Sequence, residues 1–411
     1  MKRIILCVSA LLLALTAIPS AQAAFVIGGE NGWQLSTDGI VDIFGHYRTT
    51  SAAPDATTHP LALLGNNDQN FGVTVGLLPS VIAFNVKAPT VNGVESAVRI
   101  GIYPSLQNKS QSSRLDTSPN IDFRELYYTA KGKYGEFLAG RALNLYQGKN
   151  ILTDMTLLTV GVVPGTVGST TLGHIGYGYL YTNFGPQFRY TTPDLSGVKV
   201  AVSVAEPYNI SADTAKTPTP RVETEISYAT VFSGGNTLQA WASGLYQSAT
   251  RSTAAGVARP GAQNQSIGGA GGVEVGFSGV SLLASGYVGE GLGMVSAQDG
   301  DLGVTGLSST DSAGKERTQW GFLAQATYKL TPDVKIGANY GQTRQEKTDA
   351  DKAGALPFVL KKKQEAAVAM VTYNFNKFTQ FIAEYTYAQD TWHDGATNHS
   401  NIFAVGTMFY W

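Results

Sequence analysis

The sequence predicts an all-β fold, a transmembrane antiparallel β-barrel of about sixteen strands with a long inward-folded third loop. Three observations predict it. From Trp33 onward, apolar and polar side chains alternate with period two in segment after segment, as in a strand with one face in hydrocarbon and one in water. Charged residues make up only 14% of the chain, against roughly 25% in soluble domains, yet beyond the first residues no run reaches the ~20 apolar residues of a membrane helix. Finally, tight turns alternate with long loops, which places short connections on one rim and long ones on the other.

The first residues read as an address. Lys2 and Arg3 precede an apolar run from Ile4 to Ile18, and Ala21-Gln22-Ala23 supplies a small-x-small site; residues 1–23 are expected to be a cleaved secretory signal peptide and 24–411 the barrel domain. Cys7, the only cysteine, falls inside the leader. The exported chain then carries no thiol for a disulfide, a thiolate metal site or a nucleophile. Net charge is −1 over the whole sequence and slightly more negative without Lys2 and Arg3, so nothing points to a nucleic-acid partner.

The strands follow in order. Trp33 to Arg48 alternates most cleanly, with Trp33, Leu35, Val41, Ile43 and Tyr47 on one face, and Asp38, Asp42, His46 and Arg48 on the other beside Ile40 and Phe44. Phe71 to Ala88 is interrupted by Pro79, which a sheet tolerates at an edge or bulge. Val94 to Tyr103 is next, then Ile121 to Lys131 and Gly135 to Asn144 around the turn Gly132-Lys133-Tyr134-Gly135. About forty residues from Leu145 to Phe184 then lack any long alternation. Strands resume at Gly185 to Pro193 and Gly197 to Ala205, then in pairs: Val222 to Phe232 with Thr237 to Thr250, Gly268 to Phe277 with Val280 to Gly289, Gln319 to Leu330 with Val334 to Arg344, Gln364 to Phe375 with Phe378 to Gln389, and finally Asn401 to Trp411. Enclosed by strands, the Leu145–Phe184 loop is expected to fold into the barrel and narrow a water-filled lumen.

Three segments carry a resemblance. Phe123-Arg124-Glu125-Leu126-Tyr127 with Lys131-Gly132-Lys133-Tyr134-Gly135-Glu136-Phe137-Leu138-Ala139-Gly140-Arg141, then Phe188-Arg189-Tyr190-Thr191-Thr192-Pro193-Asp194-Leu195-Ser196-Gly197, and last Phe403-Ala404-Val405-Gly406-Thr407-Met408-Phe409-Tyr410-Trp411 resemble the Gram-negative general porins, trimeric barrels of sixteen strands. The resemblance implies a bacterial outer-membrane location, a homotrimer, passive diffusion of small hydrophilic solutes and ions, no cofactor, and a last strand bearing Phe409 and Trp411 that the barrel-assembly machinery reads. The family normally ends on Phe rather than Trp. The loop also lacks a Pro-Glu-Phe-Gly-Gly motif and has one acid, Asp154, so selectivity does not carry over.

Strand parity sends Arg99, Arg124, Arg141 and Arg189 inward, with Arg48 and His46 nearby and Asp42 and Asp154 as counter-charges. That surplus of cations predicts a weak preference for anions. Some of these arginines could instead pair with Glu95 or rim acids. The same parity sends Glu125 outward with Tyr127, Glu125 to be covered at a subunit interface, unless a bulge re-aims it. Lys361-Lys362-Lys363 ends a long loop and could hold lipopolysaccharide phosphates among the outer-membrane lipids, or form an ordinary solvated face. His393-Asp394 with His399, and Asp299 with Asp301, are too loosely spaced to specify a metal. No Gly-x-Ser-x-Gly, His-Glu-x-x-His or phosphate loop stands in a supporting context, and a lone His46 is more often pore lining than a general base; the chain is expected not to be an enzyme. A solute-specific channel, and a barrel enzyme or scaffold with a plugged lumen, are the alternatives.

Overall fold

The structure is a computed structural model that describes residues 25–60, 62–108, 121–165, 170–295 and 308–411. The expected leader and the Asp299/Asp301 pair lie outside the described residues.

All nineteen strand segments belong to one antiparallel sheet. In chain order they are β1 (Phe25–Gly28), β2 (Gln34–Thr50), β3 (Gln69–Thr74), β4 (Val81–Lys87), β5 (Glu95–Pro104), β6 (Ile121–Gly132), β7 (Gly135–Leu143), β8 (Phe184–Thr191), β9 (Val198–Ala205) and β10 (Thr214–Lys216). They continue with β11 (Arg221–Val231), β12 (Thr237–Arg251), β13 (Gln263–Phe277), β14 (Val280–Glu290), β15 (Thr318–Lys329), β16 (Val334–Gln345), β17 (Lys361–Asn374), β18 (Thr379–Trp392) and β19 (Thr397–Tyr410). β19 pairs with β2 from Ile40 to Thr50, which closes the cylinder. The barrel has sixteen strands: β3 and β4 are two halves of one, and β1 and β10 are short additions to neighbouring edges. Closure of the cylinder is what lets strands cross hydrocarbon with their backbone groups paired to neighbours.

The broken strand is the sequence's Pro79 interruption. β3 pairs with the upper part of β2 and β4 with its lower part, while residues 75–80 leave the wall and bond the loop inside, Leu77 N–H donating to Thr159 O at 2.7 Å and Leu78 N–H to Leu157 O at 2.9 Å. β2 has no strand partner at Asp42 on this edge, and the Asp42 carboxylate substitutes for one. It accepts from Gly76 N–H and, at 2.8 Å, from Ser80 Oγ.

Short connections follow the turn chemistry of the sequence. At Ser196-Gly197 and Ser278-Gly279 both residues have positive φ, the geometry whose twist matches a two-residue hairpin. Alternation survives as two faces: Val41, Ile43, Phe84, Phe188, Val204, Phe322, Phe381 and Phe403 are exposed on the outside. Ile40 and Phe44, the apolar breaks in the polar face of β2, are buried inside with Val160, Val163, Ile402 and Met408. They pack the returning loop against the wall.

Candidate functional site

The loop after β7 runs round the inside wall and comes back. Its outgoing limb starts at β11, where the Glu223 carboxylate accepts from Leu145 N–H at 2.7 Å and Tyr146 N–H at 3.0 Å. Gln147 N–H then donates to Ser243 Oγ on β12 at 3.2 Å. A short helix, α1 (Gly148–Thr153), follows, and Trp241 Nε1 donates to its Asn150 at 2.9 Å. Met155 N–H reaches Gln325 on β15 at 2.7 Å, Gly161 N–H reaches Glu384 on β18 at 2.7 Å, and the Arg48 guanidinium on β2 donates to Pro164 O and Gly165 O. The return limb bonds the outgoing one, Val162 N–H to Gly173 O at 3.0 Å and Leu180 N–H to Gln147 Oε1 at 2.8 Å. Every wall residue in this series lies on the inward face of its strand.

Asp154 is the hub. Its carboxylate accepts from Thr156 N–H at 2.9 Å, Thr156 Oγ1, Tyr179 OH at 2.7 Å and Asn339 Nδ2 on β16 at 3.1 Å, with His174 Nδ1 at 3.7 Å. Burial pushes this carboxyl up, but His174 and the hydrogen bonds from Thr156 and Tyr179 outweigh it and hold the group below the usual carboxylate range. Asp154 is thus an anchor and no free counter-charge, a correction to the sequence expectation. Asp42 is corrected likewise, being buried in the repair of the broken strand. Arg48, also buried, is spent on the loop carbonyls and on Asp68 at 2.6 Å.

The remaining expected residues divide. Arg99 faces inward but is held by Asp38, at 2.9 and 3.1 Å through both carboxylate oxygens, and by Glu125 at 2.9 Å. The Glu125 expectation is overturned by a bulge. Gly101 pairs with Glu125 and Tyr103 with Asp122, so β6 carries one residue more than β5 there. Phe123 and Leu126, three apart, are both outside at 53% and 54% exposure. Glu125 is turned inward, where Tyr103 OH donates to it at 2.7 Å. Arg124 pairs with Asp122 at 2.7 Å and stands over the Tyr103 ring. Arg141 is corrected: its register partner is the outward Leu126, and it is exposed on the outer face, donating to Phe184 O at 2.7 Å. Parity misled because Gly140, not Arg141, opposes the inward Tyr127. His46 is inward and half-buried beside Gly72. Arg189 is inward, donating to Leu143 O at 3.3 Å.

The rim lysines separate as well. Lys361 turns inside and is buried against Asp390 at 2.7 Å, over the Trp392 ring, and Lys363 pairs with Glu365 at 2.6 Å. Asp390 also accepts from Tyr177 OH of the loop at 3.1 Å. Sequence reading missed Asp38, Glu223 and Gln325 as partners, because a partner across a barrel is set by register and not by spacing. Among the described residues no cluster of three potential metal ligands occurs.

A family model described as Gram-negative porin matches residues 9–408. No curated protein matches the chain. Among solved structures, the chain is similar to the outer membrane channel DcaP of Acinetobacter baumannii at 16% identity, covering 94% of this chain and 100% of that one with a TM-score of 0.67. It is similar to the anion-selective porin from Comamonas acidovorans at 12% identity, covering 92% and 100% with a TM-score of 0.61, and to Salmonella typhi OmpF in complex with daunomycin at 15% identity, covering 92% and 98% with a TM-score of 0.56. At these identities the solved structures speak to the fold.

Proposed function

Because the chain belongs to the Gram-negative porin family, we propose that its doubled-back loop from Leu145 to Phe184 is the constriction of the pore. The protein is an outer-membrane channel for passive solute diffusion. One observation carries the constriction: the loop is bonded to inward residues from β11 round to β2, while among the described residues Arg99, Tyr127, Glu136 and Arg189 make no hydrogen bond to it. A passage between the loop and the β5–β9 wall follows. Solutes crossing it exchange hydration for contacts with those side chains.

The charge balance there is less positive than a count of arginines suggests, since Arg99 shares two carboxylates. A weak anion preference would rest on Arg189 and on Lys149 of α1, and it is in keeping with the anion-selective neighbour. A homotrimer is supported by family membership and by a similar structure described as a trimer form. Contact with lipopolysaccharide falls to Lys362 and Lys363, since Lys361 is buried, and reading by the assembly machinery to Phe409 and Trp411 at the closing strand.

Recording the purified, unboiled protein in a planar bilayer tests the proposal. Ohmic steps in groups of three with weak anion selectivity are expected. Absence of any conductance would instead support a plugged barrel with an enzymatic or scaffolding role.

A further inference from the structure

The loop from Leu145 to Phe184 contains two residues charged at neutral pH, Lys149 and Asp154. Asp154 is fully occupied in anchoring, so Lys149 is the one charge the loop can present to the passage. Its place is fixed from both sides along the chain: Gln147 N–H is bonded to Ser243, and α1 is held to Trp241 through Asn150. Ser243 is the direct register partner of Glu225 on β11, which faces inward beside Glu223. Glu225 therefore lies across the ladder from the residue that holds Gln147, two residues before Lys149. Arg189 joins the same patch through the ladder, since it pairs with Ser203 and Ser203 pairs with Glu223.

Lys149, Arg189 and Glu225 are each half-buried, and among the described residues none makes an ion pair, whereas Arg99, Arg124, Arg48 and Lys361 all do. Glu136, half-buried on the inward side of β7 and in no ion pair among the described residues, pairs in register with Thr191, two residues along the same face of β8 from Arg189. Two cations and two carboxylates thus stand around one stretch of lumen. A simple ion of either sign meets attraction and repulsion there in equal number, whereas a solute carrying both a carboxylate and an ammonium is complementary to both signs. Resting on the channel reading above, we infer that Lys149, Arg189 and Glu225 form a selectivity site for small zwitterions of the amino-acid type, the carboxylate held by Lys149 and Arg189 and the ammonium by Glu225.

The test uses the full-length protein in liposomes and in a planar bilayer, with glycine and its uncharged isomer glycolamide as probes of equal size. Wild type should pass glycine about twofold to tenfold faster than glycolamide at low concentration, with the advantage saturating as glycine rises. Glu225→Gln and Lys149→Gln should each abolish the advantage and move ion selectivity in opposite directions, E225Q toward anions and K149Q toward cations. Lys352→Gln, at the end of the short exposed helix Asp349–Lys352, should change neither. Equal rates for the two isomers in a conducting wild type would overturn the inference and leave the channel standing, and so would variants whose selectivity does not move. A wild type without conductance would overturn both.

Discussion

Glu125 sits across the β5–β6 bulge from Gly101 and takes Arg99 Nε at 2.9 Å inside the barrel. One added residue converts what would be a carboxylate in lipid into the second anchor of a lumen arginine. Removing one partner of such a pair leaves the other buried and uncompensated. Glu125→Ala is therefore expected to destabilise the folded barrel by about 3 kcal/mol, measured as a lowered denaturant midpoint in detergent, and to shift the reversal potential toward anions because Arg99 keeps only Asp38. An unchanged midpoint would mean that Arg99 does not need this carboxylate.

Asp154→Asn should loosen the loop without unfolding the barrel. It weakens acceptance from Thr156, Tyr179 and Asn339 at once, a loss of about 2 kcal/mol in loop anchorage. Single-channel records should turn noisy and loop segments should become protease-sensitive, and quiet traces from D154N would sink the hub role.

The same group sets a pH dependence. Because its carboxyl in the folded protein lies below the ordinary 3.8, its stabilisation is fully present above that value and is lost only as pH falls through the lower folded one. Conductance noise should stay flat from neutral pH down to the ordinary carboxyl range and rise below it. A rise already near pH 6 would point to another group.

Lys361 and Asp390 form a buried pair that ties β17 to β18, and through Tyr177 to the loop. Asp390→Asn should cost about 3 kcal/mol by stranding the lysine, and the Lys361→Met, Asp390→Leu double variant should recover much of it. Thermal melts of wild type, D390N and the double variant decide this, and a double variant no more stable than D390N would argue against the stranded-lysine account.

Gly39 makes room for the last residue. Its backbone exchanges hydrogen bonds with Trp411, and any Cβ at Gly39 would overlap the Trp411 indole. Gly39→Ala should destabilise closure by about 1–3 kcal/mol through overpacking and reduce the yield of refolded barrel, with Gly39→Ala, Trp411→Ala partly restoring it. Normal yield from the single variant would show that the indole moves aside freely.

Much of the barrel was legible because its signal is local. The two faces of β2, the paired strands and the two-residue Ser-Gly turns follow from period and turn chemistry alone, and Pro79 marked the broken strand. The lumen charges were not legible to the same depth. Glu125 and Arg141 were each assigned the wrong face, Glu125 because a bulge shifts parity by one residue and Arg141 because the inward side of β7 runs through Gly140. Asp42 and Arg48 were assigned the right face and the wrong task, and Asp154 was expected to be a free counter-charge, since their partners lie on strands and limbs remote in sequence. The cations left for the passage, Lys149 and Arg189, emerge only once the other pairs are known.

The stitching of one limb of the loop to the other, and of both to a long arc of wall, has a mechanical consequence. A strap fastened at so many points does not swing on a hinge, so the constriction proposed above would act as a rigid sieve with its bore set on folding. On that proposal, widening the bore would call for trimming side chains rather than loosening the strap.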